Sequence, residues 1–165
     1  MKRAFFVVGP ESSGTRHLTK VLMDGGCFGD DGHVQRMDDL NFQGRPDNIV
    51  LRRSIPHARR WPNLLHIIQT MQKAGYFVTT LAMVRDQYAM ARSQVRIGHV
   101  PDTDTAWQNI DRAYGQIAKL PLPMIFVPYE AGILHPQSYN ALLERLELAP
   151  PEKLYIYDGN EKYYG

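Results

Sequence analysis

The first 23 residues contain the pattern that most limits how this chain can fold. An apolar run at residues 4–8 ends in a loop bounded by Gly9 and Gly14, and the loop passes directly into a helical pattern at residues 15–23. Apolar residues recur on one face of that pattern, as in a helix packed on a core. A loop of small residues between a strand and a helix leaves backbone N–H groups that converge on an anion. The sequence therefore predicts an anion site at the end of the first strand.

Strand-like and helix-like segments alternate along the rest of the chain. The predicted strands are residues 4–8, 49–53, 77–84 and 124–127. The predicted helices are residues 15–23, 62–74, 87–97, 104–117 and 137–148. Such alternation is typical of a parallel sheet covered by helices. We therefore predict an α/β fold, a single three-layer domain over residues 1–165 with a central parallel sheet of about four or five strands and helices on both faces.

One connection is too long for an ordinary loop. Residues 25–48 are polar and rich in glycine, whereas connections in compact domains are usually much shorter. Long connections of this kind often carry function. We expect this segment to be a lid or an acceptor-binding segment.

Composition excludes several classes of protein and partner. The chain has 44% apolar and 22% charged residues, as soluble globular chains do. Its net charge of +2 gives no overall basic excess, which makes nucleic acid an unlikely partner and gives no sign of membrane association. Cys27 is the single cysteine, and with no secretory signal or membrane-spanning run this favours a cytoplasmic location. The sequence leaves the oligomeric state open.

The loop has the spacing of a P-loop with two departures. In Gly-x-x-x-x-Gly-Lys-Ser/Thr the Lys binds nucleotide phosphates and the hydroxyl binds Mg²⁺. Thr15 stands at the Lys position and Arg16 at the hydroxyl position. Arg16 supplies charge but is not a metal ligand. We therefore predict a P-loop-type domain whose phosphate donor is handled without a metal ion.

The run Ser13-Gly14-Thr15 resembles the centre of the first loop of sulfotransferases that use 3′-phosphoadenosine 5′-phosphosulfate (PAPS). The basic residue that precedes this centre in the family is Ser12 here, and the second Thr of the family is Arg16. The resemblance implies that the loop holds the 5′-phosphosulfate of PAPS. The donor-binding residues would be Gly9, Ser12, Ser13, Gly14, Thr15 and Arg16.

A second block resembles the part of these sulfotransferases that binds the 3′-phosphate of the donor. The family has an Arg after the third strand and a Ser eight positions later. Arg85 and Ser93 have this spacing and follow the predicted strand at residues 77–84. A guanidinium and a hydroxyl can flank one phosphate group.

A third block lies at the second predicted strand, where many cytosolic sulfotransferases have Lys-Thr-His-Leu-Pro. Arg52 and Pro56 match the Lys and the Pro, but Ser54 stands at the position of the catalytic His. We expect His57 to replace that base, with Arg16 and Arg52 stabilising the transferred group. The sequence has no convincing copy of the C-terminal basic loop of the family. One alternative for residues 158–164 is a shortened counterpart of that loop, but we expect a solvated tail.

The resemblance implies a transferase that moves a sulfuryl group from PAPS to a hydroxyl or amine of an acceptor that the sequence leaves open. One alternative is a nucleotide or nucleoside kinase with a degenerate P-loop, in which Asp86 holds Mg²⁺. Another is a non-catalytic module that binds a nucleotide or a nucleic acid, since the usual Lys and His are both missing.

Overall fold

A computed structural model describes residues 1–29, 40–57, 59–121, 123–154 and 156–164. Its sheet has five parallel strands in the order β2-β3-β1-β4-β5. The strands are β1 (Arg3–Pro10), β2 (Phe28–Gly29), β3 (Asn48–Ile55), β4 (Phe77–Val84) and β5 (Met124–Pro128). The helices are α1 (Thr15–Asp24), α2 (Leu64–Lys73), α3 (Gln87–Arg96), α4 (Thr103–Ile117), α5 (Tyr129–Leu134), α6 (Gln137–Arg145) and α7 (Glu161–Tyr164).

Helices cover both faces of the sheet because successive strand residues point to opposite sides. Phe6 and its neighbours on one face pack against α2 and α4, and Phe5 and its neighbours on the other face pack against α1 and α6. In addition, α3 packs on α4. The predicted three-layer α/β fold is confirmed. None of the helices in the described part of the chain is long and apolar enough to cross a membrane.

The central strand β1 brings three strand ends to one place. Val8 is paired with Arg53 of β3 on one side and with Ala82 of β4 on the other. The connections that follow β1, β3 and β4 therefore leave the sheet at the same carboxyl edge. Ligands of open parallel sheets bind at this edge, where neighbouring connections diverge.

The segment 25–48 is less loop-like than its composition indicates. Within it, β2 pairs with β3, and Phe42 is buried in the core on the α2 face. Residues 30–39, the middle of the proposed lid, lie outside the described residues. The acceptor-binding role of this segment stays a prediction.

Candidate functional site

The loop between β1 and α1 turns through two left-handed residues. Ser12 has a φ of 67° and Gly14 a φ of 92°. A Cβ atom at Gly14 would lie 2.6 Å from Cδ2 of Tyr129, so this position needs glycine both for its backbone conformation and for its closeness to the ring. Residues 9–14 form what we call the phosphate loop, and α1 begins directly after it.

Within the phosphate loop, Ser13 points into the protein interior. Its side chain is fully buried, and its hydroxyl has no hydrogen-bond partner among the described residues. A Cβ atom at Gly9 would lie 2.3 Å from the Ser13 Oγ atom. Gly9 therefore makes room for the side chain of Ser13.

A cavity of about 700 Å³ opens above the phosphate loop, and we call it the loop cavity. It brings together most of the predicted site residues: Ser12, Gly14, Thr15, Arg16, Arg52, His57 and Arg85. Gly9, Ser13 and Ser93 are not among its lining residues. The loop cavity therefore joins the carboxyl ends of β1, β3 and β4 in one site.

The loop cavity is strongly positive. Its described lining includes four permanent cations, the side chains of Arg16, Lys20, Arg52 and Arg85, against one carboxylate, that of Glu11. Lys20 is one helical turn after Arg16 on α1, so both project from the same helix face. An excess of cations beside a helix N-terminus favours an anionic ligand. Lys20 was not predicted from the sequence, although its i+4 spacing from Arg16 indicates a shared helix face.

On the β3 side of the phosphate loop, short-range contacts set the position of His57. Its backbone N–H donates to the Arg60 carbonyl at 2.7 Å, and the Arg60 N–H donates back to the His57 carbonyl at 2.9 Å. The His57 Nδ1 atom lies 3.5 Å from the Ser54 hydroxyl oxygen. Arg52, near the end of β3, completes this wall of the loop cavity.

On the β4 side, the buried side chain of Arg85 connects two segments that are distant in the sequence. It is 8% exposed, and its Nη1 atom donates to the Ser12 carbonyl at 2.6 Å. Its Nε atom donates to Asn160 Oδ1 at 2.7 Å, and its Nη2 atom donates to the same oxygen. The guanidinium also lies 4.5 Å from the centre of the Tyr129 ring. Arg85 thus connects the left-handed turn of the phosphate loop to the C-terminal segment.

The C-terminal segment, residues 156–164, is docked on the domain. The Gly159 N–H donates to the Tyr129 hydroxyl at 2.8 Å, and that hydroxyl donates to the Tyr157 carbonyl at 3.0 Å. Asn160 Nδ2 donates to Glu130 at 2.7 Å, and Asn160 is 7% exposed. Our expectation of a solvated tail is therefore wrong.

Ser93 is covered by the same segment. Tyr163, on α7, is 7% exposed, and its hydroxyl is hydrogen-bonded to Ser93 and lies 3.4 Å from Arg96 Nε. The predicted Arg85–Ser93 pair is thus in contact with Asn160 and Tyr163, both from the C-terminal segment.

Glu11 and His99 are in close contact, which was not predicted from the sequence. The Glu11 Oε2 atom lies 3.0 Å from His99 Nδ1, and both residues line the loop cavity. Burial raises the pKa of the Glu11 carboxyl, although the nearby His99 and Arg59 act in the opposite direction. The Gln94 amide donates to the Glu11 carbonyl at 2.8 Å and fixes the backbone of the loop there. No local pattern links Glu11 to His99, because they are far apart along the chain.

His17 lies at the base of the loop cavity between two tyrosine rings. Its ring centre is 6.1 Å from that of Tyr129 and 5.3 Å from that of Tyr139, in edge-on contacts. Burial, assisted by the charge of Lys20, lowers the pKa of His17. A neutral His17 leaves the positive charge of the cavity to its arginines and Lys20.

No protein-family model and no curated protein sequence matches the chain. Among solved structures, the sulfotransferase domain from the Synechococcus PCC 7002 olefin synthase is similar, with a TM-score of 0.58 and 14% sequence identity. The match covers 98% of this chain and 80% of that chain. At this identity the likeness concerns the fold, and the chain has a sulfotransferase-like fold.

Proposed function

We propose that this chain is a transferase that moves a sulfuryl group from PAPS to a hydroxyl or amine of an acceptor. The observation that carries the proposal is the convergence of four cationic side chains around a glycine-containing loop at the carboxyl edge of the sheet. The sulfotransferase-like fold supports the same class of reaction. The cavity, about 700 Å³, is of the size that small-molecule sites have.

In this proposal the 5′-phosphosulfate lies at the N-terminus of α1. The backbone N–H groups of Ser12, Gly14 and Thr15 donate to it, whereas that of Ser13 donates to the Pro10 carbonyl at 3.1 Å. The helix dipole favours the negative charge of the group. Arg16 and Lys20 approach from α1 and Arg52 from β3. Together they take the role that a loop lysine has in ordinary P-loops.

The reaction breaks one bond and forms one bond. The acceptor oxygen or nitrogen attacks sulfur, the bond between sulfur and the bridging oxygen of the 5′-phosphate breaks, and that oxygen leaves with the electron pair. The proton of the acceptor passes to the His57 imidazole, since histidine is the side chain that most often acts as a general base. The cations stabilise the charge that develops on the leaving phosphate.

The 3′-phosphate of PAPS requires a rearrangement at Arg85 in this proposal. Asn160 Oδ1 accepts hydrogen bonds from Nε and Nη2 of Arg85. A phosphate oxygen is a stronger, charged acceptor and would replace the amide oxygen there. Ser93 would be reached in the same way, by displacing Tyr163. The C-terminal segment therefore takes part in binding the donor.

Calorimetric titration with 3′-phosphoadenosine 5′-phosphate, the desulfated product of PAPS, tests the donor. We expect it to bind the wild-type protein without Mg²⁺, and we expect Arg52→Ala to weaken binding about 10- to 100-fold, as the loss of a charge-assisted hydrogen bond does. Arg145→Ala is the matched control, since Arg145 is exposed on α6 and does not line the loop cavity. We expect this control to bind like the wild type.

A thermal-shift comparison of the same nucleotide with ATP, each with and without Mg²⁺, distinguishes the proposal from the kinase alternative. Stabilisation by the 3′-phosphorylated nucleotide without metal supports sulfuryl transfer. Stabilisation by ATP with Mg²⁺ alone would overturn the proposal and favour a kinase.

A further inference from the structure

A second cavity lies between α3 and α7, away from the loop cavity. Its volume is about 650 Å³, and it shares no lining residue with the loop cavity. Its polar and aromatic lining consists of Tyr88, Arg92, Arg96, Thr103, Lys162 and Tyr163. We call it the α3–α7 cavity.

Positive charge is concentrated in the α3–α7 cavity. Arg92 and Arg96 come from successive turns of α3, and Lys162 comes from α7. The cavity has no carboxylate in its described lining, and no ion pair joins any of the three cations to a carboxylate of the described residues. The whole chain has a net charge of only +2, so three cations in one cavity are a local excess.

Aromatic rings hold these cations in place. The Arg92 guanidinium lies 5.3 Å from the centre of the Tyr88 ring. Arg96 and Lys162 lie 6.0 Å and 5.4 Å from the centre of the Tyr163 ring. Cation–π contacts of this length restrict the charged groups without neutralising them. The cavity therefore presents partly ordered cations.

The cations of the α3–α7 cavity also act on the hydroxyl of Tyr163. Burial raises the pKa of its hydroxyl. This effect is outweighed by hydrogen bonds from Ser93 and Arg96 and by the positive charges of Lys162 and Arg96, which lower the pKa. The net effect is a pKa below the usual value of a tyrosine. A site that stabilises the phenolate relative to water also favours other anions.

The wall that carries Lys162 is built into the fold. Asn160, two residues earlier, is held by Arg85 and Glu130, and Tyr163, one residue later, is buried against Ser93. The backbone of Lys162 is thus held on both sides, and its side chain lines the same cavity as the two arginines of α3. Cations from two separate elements face one space.

We propose that the α3–α7 cavity is a second anion site, which binds a phosphate or sulfate ester group of a small molecule. Three cations match a group that carries about two negative charges, as a phosphate monoester does at neutral pH. Arginine can bind such a group with two parallel hydrogen bonds. The faces of Tyr88 and Tyr163 supply apolar surface for the carbon skeleton of the ligand.

Calorimetric titration with inorganic pyrophosphate at low ionic strength tests the site. We expect the wild-type protein to bind two equivalents. The double variant Arg92→Gln/Lys162→Gln should bind one, and Arg16→Gln/Lys20→Gln, which alters the loop cavity, should also bind one. All four side chains are exposed, so these variants should fold. Lys73→Gln/Lys119→Gln removes two exposed charges elsewhere and should bind two equivalents.

If Arg92→Gln/Lys162→Gln binds two equivalents with wild-type affinity, the second site does not exist. If the wild type binds only one equivalent and Arg16→Gln/Lys20→Gln abolishes this binding, the α3–α7 cavity is not an anion site. The proposal that the loop cavity binds an anion would then still be supported. The two proposals can therefore fail separately.

A competition titration identifies the source of the ester. Pyrophosphate is titrated into protein saturated with 3′-phosphoadenosine 5′-phosphate. One remaining equivalent, sensitive to Arg92→Gln/Lys162→Gln, indicates a ligand other than the donor, such as a phosphorylated or sulfated acceptor. If none remains, the anion and the donor bind in competition, as displacement of Tyr163 by the 3′-phosphate requires, and the ester is not that of an acceptor.

Discussion

The two strands beside β1 both lead to an arginine at the edge of the loop cavity, but the two arginines are placed in different surroundings. Arg52, on the β3 side, belongs to a wall built from nearby residues, with Ser54 and His57 only a few positions away. Arg85, on the β4 side, is 8% exposed and hydrogen-bonded to Ser12 and Asn160. A basic residue at the carboxyl end of a strand can therefore be part of a ligand site, part of the scaffold that shapes the site, or both.

The largest change in stability should come from removing the Arg85 side chain on the β4 side. Arg85→Ala leaves the Ser12 carbonyl and Asn160 Oδ1 without their donor, and we expect the free energy of unfolding to fall by about 3 kcal/mol. Urea denaturation measures this change. Arg16→Ala is the control, because Arg16 is an exposed arginine of the same cavity and should change the unfolding free energy by less than about 0.5 kcal/mol. Equal losses in the two variants would mean that Arg85 has no special structural role.

A smaller change in the free energy of unfolding is expected at the phosphate loop, where two glycine variants distinguish backbone strain from crowding. Gly14→Ala and Gly26→Ala both place a side chain at a φ above 90°, but only at Gly14 does the new Cβ atom meet a neighbour, Tyr129 at 2.6 Å. We expect Gly26→Ala to cost about 1 kcal/mol of unfolding free energy and Gly14→Ala about 2–3 kcal/mol, since overpacking adds to strain. Urea denaturation of both variants checks the difference. Similar costs would show that the Tyr129 ring moves aside without penalty.

The smallest effect should be a pH dependence of protein stability that is caused by His17. Folding lowers the pKa of His17 from about 6.5, so the unfolded chain binds the proton more readily than the folded protein does. The stability contributed by His17 is therefore present above pH 6.5 and is lost as the pH falls toward the lowered pKa. We expect the urea midpoint to fall between pH 7 and pH 5.5, and to fall less in His17→Gln. An unchanged pH profile in that variant would mean that His17 is equally easy to protonate in both states.

Local patterns in the sequence predicted the layers of the fold and the place of the loop cavity. Gly9 and Gly14 between an apolar run and a helical pattern located the loop, and the alternation of strands and helices placed Arg52 and Arg85 at the same edge. These features depend on residues close together in the chain. The short strand β2 was missed because two residues carry no measurable periodicity, and it lies inside a polar segment.

Contacts between distant residues could not be predicted in the same way. The Glu11–His99 pair and the hydrogen bonds of Arg85 to Asn160 join side chains that no spacing relates. The C-terminal segment looked solvated because it is short, polar and followed by no apolar pattern. It is docked because Tyr129 and Glu130, at the start of α5, offer hydrogen bonds that only the folded chain brings near it.

The Arg85–Asn160 contact also affects the order in which the site forms while the chain is being synthesised. A ribosome delivers the chain from its N-terminus, so β1, α1, β3 and β4 are all available before Asn160 is made. Until then Arg85 can bind the Ser12 carbonyl but has no Asn160 side chain to hold it from the other side. The phosphate loop therefore reaches its final set of contacts late, and a nascent chain would have β1, β3 and β4 before it has a finished site.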